Sequence, residues 1–117
     1  MPITPQGANL KEVKAALIKM DEWFSDESKW CKKTLCRDRF GIAINYPITQ
    51  KQSIAQCCII GSLIVITDQV ETKVRRDCED ILRDQLPPKY KKSVADFNDN
   101  VTFQEIKALI RKAIEVC

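Results

Sequence analysis

Histidine is missing altogether from this 117-residue chain. That absence removes Ser–His and Cys–His nucleophilic pairs from within the chain and takes away the commonest ligand of catalytic zinc. It also leaves no side chain whose ordinary pKa lies near neutrality, so a general acid or base would have to be a strongly shifted carboxylate, lysine or cysteine. C-x-x-C pairs are lacking too, which removes the usual framework of structural zinc folds. The opening MPITPQGANL has no basic stretch leading into an apolar one, so no secretory signal is expected. Internal repeats, low-complexity tracts and flexible interdomain linkers are absent. Long apolar runs are scarce: the single example is residues 53–67, SIAQCCIIGSLIVIT. Its apolar part is about half the ~20 residues a membrane span needs, and Gln56 and Asp68 bracket it. From these absences we expect a non-enzymatic protein of the cytoplasm, with no cofactor, no metal and no membrane partner.

What is present is ordinary for a soluble globular domain: 44% apolar residues, 30% charged residues and a formal net charge of +3. A net charge that small is mild for a dedicated nucleic-acid binder. One domain is the default at this length, and a chain of this size buries roughly two-thirds of its unfolded surface without metal or disulfide staples. We expect residues 1–8 to be an extended lead and residues 9–117 a single helical domain. The six cysteines, without a secretory signal, are expected to be reduced thiols acting as small core residues.

Residues 53–67 are expected to form a central helix around which the rest is organised. The run exceeds the usual ~5–6 residues of a strand, and Thr49 and Gln52 stand at capping-box spacing after Pro47. Gly61 and Ser62 within it would let another backbone approach closely. A first helix is expected from Asn9, with Glu12 at cap spacing, to Phe24. Its stripe is Leu10, Val13, Leu17, Met20 and Phe24, and the indole N–H of neighbouring Trp23 would need a partner if buried. A short helix carrying Trp30, Cys31, Thr34 and Leu35 on one face follows. Asp38-Arg39-Phe40-Gly41 reads as a turn with Gly41 available for positive φ, within a small hairpin near residues 38–48. Asp68 and Glu71 repeat the cap spacing before a charged helix reaching about Leu86, with a stripe of Val70, Val74, Cys78, Ile81 and Leu82. Its Glu71/Arg75 and Glu79/Arg83 pairs have the better i,i+4 orientation. Pro87-Pro88 ends that helix. A loop KYKKSVADFNDN then leads to a last helix opened by Thr102 and Glu105, with Phe103, Ile106, Leu109, Ile110 and Ile114 facing inward. The expected fold class is all-α, a compact bundle of four main helices plus the short one and the small hairpin.

Three clusters could carry binding. Lys29, Lys32, Lys33, Arg37 and Arg39 set five cations against the single carboxylate of Asp38 within residues 29–39, a candidate surface for phosphates or an acidic protein. Lys89, Lys91 and Lys92 add a second basic segment. Asp21, Glu22, Asp26 and Glu27 form the one dense acidic patch. The segment 96–100, DFNDN, lacks the ligand alternation and central glycine of a calcium loop. Such residues more often make Asx-turns and caps. Asn98 or Asp99 could also meet Trp30 and Cys58 in a polar pocket.

One combination resembles a pattern in small uncharacterised bacterial and phage proteins. Trp30-Cys31, then Asp38 and Gly41, then Cys58-Ile59-Ile60-Gly61-Ser62-Leu63, then Phe97-Asn98-Asp99 look like that group's W-C start, D-x-x-G turn, C-x-x-G-[AS]-L helix and [FW]-N-D loop. The likeness spans roughly residues 23–116. It implies an all-helical small domain and singles out Trp30, Asp38, Cys58, Gly61, Asn98 and Asp99, without implying an activity.

The expectation is therefore a binding protein acting on a partner protein, an inhibitor or adaptor of phage or mobile-element type working by occlusion. Two alternatives stand beside it. One is nucleic-acid binding through the basic cluster at 29–39; no ribonucleoprotein aromatic pair, zinc finger or helix-turn-helix turn accompanies that cluster. The other is a small-ligand receptor or enzyme with a pocket near Trp30, Asp38, Cys58, Asn98 and Asp99. Oligomeric state is open, with a solvent-facing Cys117 or Trp23 favouring a dimer.

Overall fold

The computed structural model describes residues 10–45, 48, 51–67, 73–90 and 92–117. The expectations for the lead at 1–8, the caps at Asn9, Thr49, Asp68 and Glu71, and the side chains of Pro47, Val70 and Lys91 lie outside the described residues. Five helices and three short strands run in the order α1 (Leu10–Trp23), β1 (Cys36–Asp38), β2 (Ala43–Ile44), β3 (Ile54–Cys57), α2 (Ile59–Ile66), α3 (Lys73–Asp84), α4 (Val94–Asn100) and α5 (Phe103–Val116). Single 3₁₀ turns occupy Glu27–Lys29, Lys51–Ser53 and Pro88–Tyr90. The chain is mostly helical but not purely so: an antiparallel sheet of order β2-β1-β3 stands beside the helices.

The helical core follows the apolar periodicity. Val13, Ala16, Leu17, Met20 and Phe24 are buried along and just past α1, which packs against α2, α3 and α5. Cys78, Ile81 and Leu82 of α3 and Ile106, Leu109, Ile110 and Ala113 of α5 complete this interior. α5 opens with a full capping box: the Thr102 side chain accepts from the Glu105 N–H, and the Glu105 carboxylate accepts from the Thr102 N–H. Its far side is tied to α1, where the Lys107 ammonium meets both the carboxylate and the carbonyl of Asp21. In α3, Arg83 pairs with Asp80 at 2.8 Å.

Three expectations are corrected. First, the long apolar run is two elements, not one helix. Ile54–Cys57 is a strand, and the chain turns at Cys58, whose extended backbone (φ −81°, ψ 177°) and Sγ cap α2 by accepting from the Gly61 N–H. Pairing of Cys57 with Cys36 and of Gln56 with Arg37 satisfies backbone groups that a longer helix would have satisfied internally. Second, the stretch expected as a short helix around Trp30 is irregular. Trp30 makes a parallel bridge with Cys57, and Lys33 takes a left-handed φ of 68°, which a helix does not permit. Third, the segment expected as a loop before α5 is α4. The Ser93 side chain caps it by accepting from the Asp96 N–H, and Val94, Phe97 and Asn98 are buried, with Phe97 set edge-on to Tyr90 at 5.2 Å.

A hairpin is present, formed by Cys36–Asp38 and Ala43–Ile44 rather than over residues 38–48. Asp38 accepts from the Gly41 N–H through its carbonyl (3.0 Å) and from the Phe40 and Ile42 N–H groups through Oδ1 (2.8 and 3.0 Å). Gly41 supplies φ +81°, where a side chain would be strained.

Candidate functional site

Four of the five residues of the expected pocket do converge, but as a hydrogen-bonded junction in which Cys58 and Asn98 are buried and Trp30 and Asp99 half-buried. Asn98 is 1% exposed and stands near the end of α4, facing the start of α2. Its Oδ1 accepts from the Trp30 indole N–H (2.9 Å) and the Ile59 backbone N–H (3.0 Å). Its Nδ2 donates to the Cys31 carbonyl (3.1 Å) and to Asp99 Oδ1 (3.2 Å). A carboxamide offers two donors and two acceptor lone pairs, so all four are engaged within the chain. Asp99 in turn accepts from the Lys33 N–H at 2.8 Å, which holds the left-handed residue in place. Cys58 adjoins as the α2 cap, its thiol pushed up to about 11 by burial despite the Gly61 and Ile60 N–H groups. Asp38 lies apart, in the β1–β2 turn.

Together these contacts pin the irregular segment 30–35 onto two helix ends. The Leu35 carbonyl accepts from the Cys58 N–H at 2.9 Å and packs directly against Gly61, the close backbone approach expected of small residues in that run. Burial keeps Cys31 and Cys78 protonated as well, each pushed up to about 12. None of these three thiols is a nucleophile at neutral pH. No cluster of three or more potential metal ligands occurs among the described residues.

Beside this junction, three of the five expected basic residues help to line an open basin of about 460 Å³, formed by Glu27, Trp30, Cys31, Lys32, Lys33, Arg37 and Gln56. Lys32 reaches over the Trp30 ring at 5.1 Å. The Arg37 guanidinium is oriented by two carbonyls, donating to Gly41 (3.0 Å) and Lys32 (3.4 Å). Lys29 and Arg39 sit outside the basin, over Trp23 and Phe40 at 5.2 Å each. Lys89 lies over Tyr90 and Lys92 faces Asp84, so neither joins the basin. Trp23 and Cys117 are both half-buried, and the Trp23 indole nitrogen has no hydrogen-bond partner.

The acidic residues are divided. Asp21 turns toward Lys107 and Arg111 of α5, Asp26 accepts from the Ser28 hydroxyl, Glu27 lines the basic basin, and Glu22 is exposed.

Sequence reasoning passed over the hairpin tip as a surface. Phe40 is 75% exposed and Ile42 63% exposed, in a turn that Asp38 hydrogen-bonds into one shape and beside the Arg37 and Arg39 cations. Two large apolar side chains within a D-x-x-G turn were the available signal. A second cavity of about 390 Å³ adjoins the tip, lined by Asp38, Arg39, Phe40, Gln52, Ser53, Ile54 and Ala55.

No described helix is long and apolar enough to cross a membrane. No curated protein and no solved structure matches the chain. The model of a family described as a family of unknown function (DUF6197) matches residues 8–116. The chain belongs to that family.

Proposed function

We propose that this member of a family of unknown function is a non-enzymatic binding module that docks an acidic protein surface through the β1–β2 hairpin and the cations around it. The observation that carries the reading is the tip itself. Phe40 and Ile42 stand 75% and 63% exposed on a turn fixed by Asp38, Gly41 and Arg37. Large exposed apolar anchors within a polar and charged rim are the anatomy of a protein interface, and the Arg37 and Arg39 cations beside them favour an acidic partner. A turn already held in shape loses little entropy on docking. An aliphatic Ile42 beside the aromatic Phe40 favours a protein over a nucleic acid, because bases stack on rings and not on branched alkyl groups.

Such a module acts by occlusion, as an inhibitor or adaptor of the kind a phage or mobile element encodes. The free thiols among the described residues suit a reducing compartment such as the cytoplasm. Against an enzyme or small-ligand receptor at Trp30, Cys58 and Asn98 stands the full internal use of the Asn98 amide.

The experiment is affinity capture from native cytosol with nuclease present, run in parallel with Phe40→Ser/Ile42→Ser and with Arg37→Glu/Arg39→Glu. A stoichiometric protein lost with both variants supports the reading, and one retained by both removes it. The nucleic-acid alternative rests on the basin of Lys32, Lys33 and Arg37 beside Trp30. It predicts a mobility shift at low salt that falls steeply as salt rises, and that is insensitive to Ile42→Ser.

A further inference from the structure

Cys36 is the centre of the sheet, opposite Ile44 of β2 on one side and Cys57 of β3 on the other. Both cysteines are buried, and their sulfurs lie 3.1 Å apart. The register explains the meeting. The Cys58 N–H donates to the Leu35 carbonyl at 2.9 Å, which places a ladder bond one residue beyond the Cys36/Cys57 pair. The pair itself therefore occupies a narrow, non-hydrogen-bonded position, where opposed Cα atoms approach to ~4.5 Å. That separation falls inside the ~4.4–6.8 Å range a disulfide spans. Cys57 is also held from its other side, its carbonyl accepting from the Cys31 N–H at 3.0 Å. Joining the sulfurs requires side-chain rotation rather than backbone movement.

We propose that Cys36 and Cys57 are a reversible oxidation site, closing to an intramolecular disulfide under a peroxide and clamping β1 to β3. In the first step the Cys36 thiolate attacks one peroxide oxygen. The O–O bond breaks, and the leaving hydroxide takes up the proton Cys36 released, giving a sulfenic acid and water. In the second step the Cys57 sulfur attacks the sulfenic sulfur. The S–O bond breaks, a second water leaves with the Cys57 proton, and the S–S bond forms. Two thiols have given two electrons to one peroxide. Either sulfur can donate across the 3.1 Å contact. With Cys57 as the donor, the Cys36 thiol is held below its ordinary value and Cys57 is pushed up, and in that arrangement Cys36 is the attacking sulfur and Cys57 the resolving one. Burial sets the pace, since peroxide must enter when this small sheet opens locally. The clamp would fix the strand carrying the hairpin to the residue before the α2 cap. It holds whether or not the hairpin docks a protein.

The test uses Cys117→Ser, which removes the half-buried thiol as a competitor and leaves five cysteines. The folded protein is exposed to hydrogen peroxide, alkylated in denaturant and weighed intact. Expected are a loss of two alkylatable thiols, a mass about 2 Da below that of the reduced chain before alkylation is counted, a Cys36–Cys57 cross-linked peptide, and reversal by dithiothreitol. A disulfide between any other pair overturns the proposal, and so does sulfinic acid at Cys36 with Cys57 unreacted, or five thiols that remain free. These readouts need no substitution in the core. Where Cys57→Ala folds, it should divert Cys36 to the sulfenic or sulfinic acid instead.

Discussion

The backbone of Leu35 occupies the space into which a side chain on Gly61 would grow: an ideal Cβ there would lie 2.7 Å from the Leu35 carbonyl carbon and 3.0 Å from Cys36 Sγ. The same carbonyl accepts the Cys58 N–H, so one contact links the irregular segment before β1 to the first turn of α2. Gly61→Ala raises helix propensity by about 1 kcal/mol. Against that, overpacking costs typically ~1–3 kcal/mol, and displacing the Leu35 carbonyl weakens a buried hydrogen bond worth ~1 kcal/mol. A net destabilisation of about 1–3 kcal/mol follows, read as a lower midpoint in urea unfolding. Unchanged stability would mean that Leu35 yields freely.

Asn98 joins the ends of α2 and α4 to the segment bearing Trp30, and each of its four polar positions has one partner. Asn98→Ala orphans the Ile59 N–H, the Cys31 carbonyl and the Trp30 indole N–H together. At ~1–3 kcal/mol for each buried group left unpaired, partly relieved by water, a loss of about 3–5 kcal/mol is expected. Asn98→Asp keeps both acceptor bonds and loses the donation to Cys31, while setting a second carboxylate beside Asp99. It should fall between wild type and alanine at low pH and approach alanine as pH rises. Equal stability of all three proteins would show that the amide is not a junction.

The sequence already carried most of the helical core. Val13, Leu17, Met20, Phe24, Ile106, Leu109 and Ile110 recur at helical spacing because each helix buries one stripe, and the Thr102/Glu105 capping box forms as its spacing implies. Residues 53–67 were misread because length and apolarity cannot distinguish one helix from a strand followed by a helix. The divider is Cys58, and cysteine is outside the usual N-cap set of Ser, Thr, Asp and Asn. α4 left a readable trace in Ser93 and Asp96 at capping distance before Phe97, outweighed by the polar run that follows. The conformation around Trp30 had no local signal at all. It is imposed by Asn98, 68 residues along the chain, and by bridging to Cys57. For the site, Trp30, Cys58, Asn98 and Asp99 meet while Asp38 lies apart in the hairpin turn, and whether such a group is a pocket or a packed junction depends on where the amide's hydrogen bonds go.

Asp38 fixes the hairpin tip by accepting from two backbone N–H groups through one oxygen. Asp38→Ala should leave the helical core intact, because the turn lies at the edge of the fold. It should raise the hydrogen-exchange rates of the Phe40 and Ile42 amides about tenfold or more, matching the loss of hydrogen bonds to a charged group worth ~1.5 kcal/mol or more. Asp38→Asn keeps the accepting oxygen and should preserve most of the protection. Tip amides equally protected in wild type and Asp38→Ala would mean that Gly41 and Arg37 suffice to hold the turn.

Alkaline pH should unfold this chain earlier than its lysines alone would. Burial pushes the Cys31 and Cys78 thiols from 9.0 to about 12 and the Cys58 thiol to about 11. In the unfolded chain the same thiols ionise near their ordinary value, so above pH 9 the folded state binds more protons than the unfolded one. Stability then falls as pH rises. The contribution is complete below the unfolded value and is lost progressively as pH climbs toward the folded values of about 11 to 12. The thermal midpoint should therefore be level from neutrality to about pH 8.5 and then decline with a slope of about one proton per buried thiol. Cys78→Ala lowers stability at every pH by leaving a small cavity, but it should flatten the alkaline limb relative to wild type. A decline of the same steepness in both proteins would assign the alkaline limb to other groups.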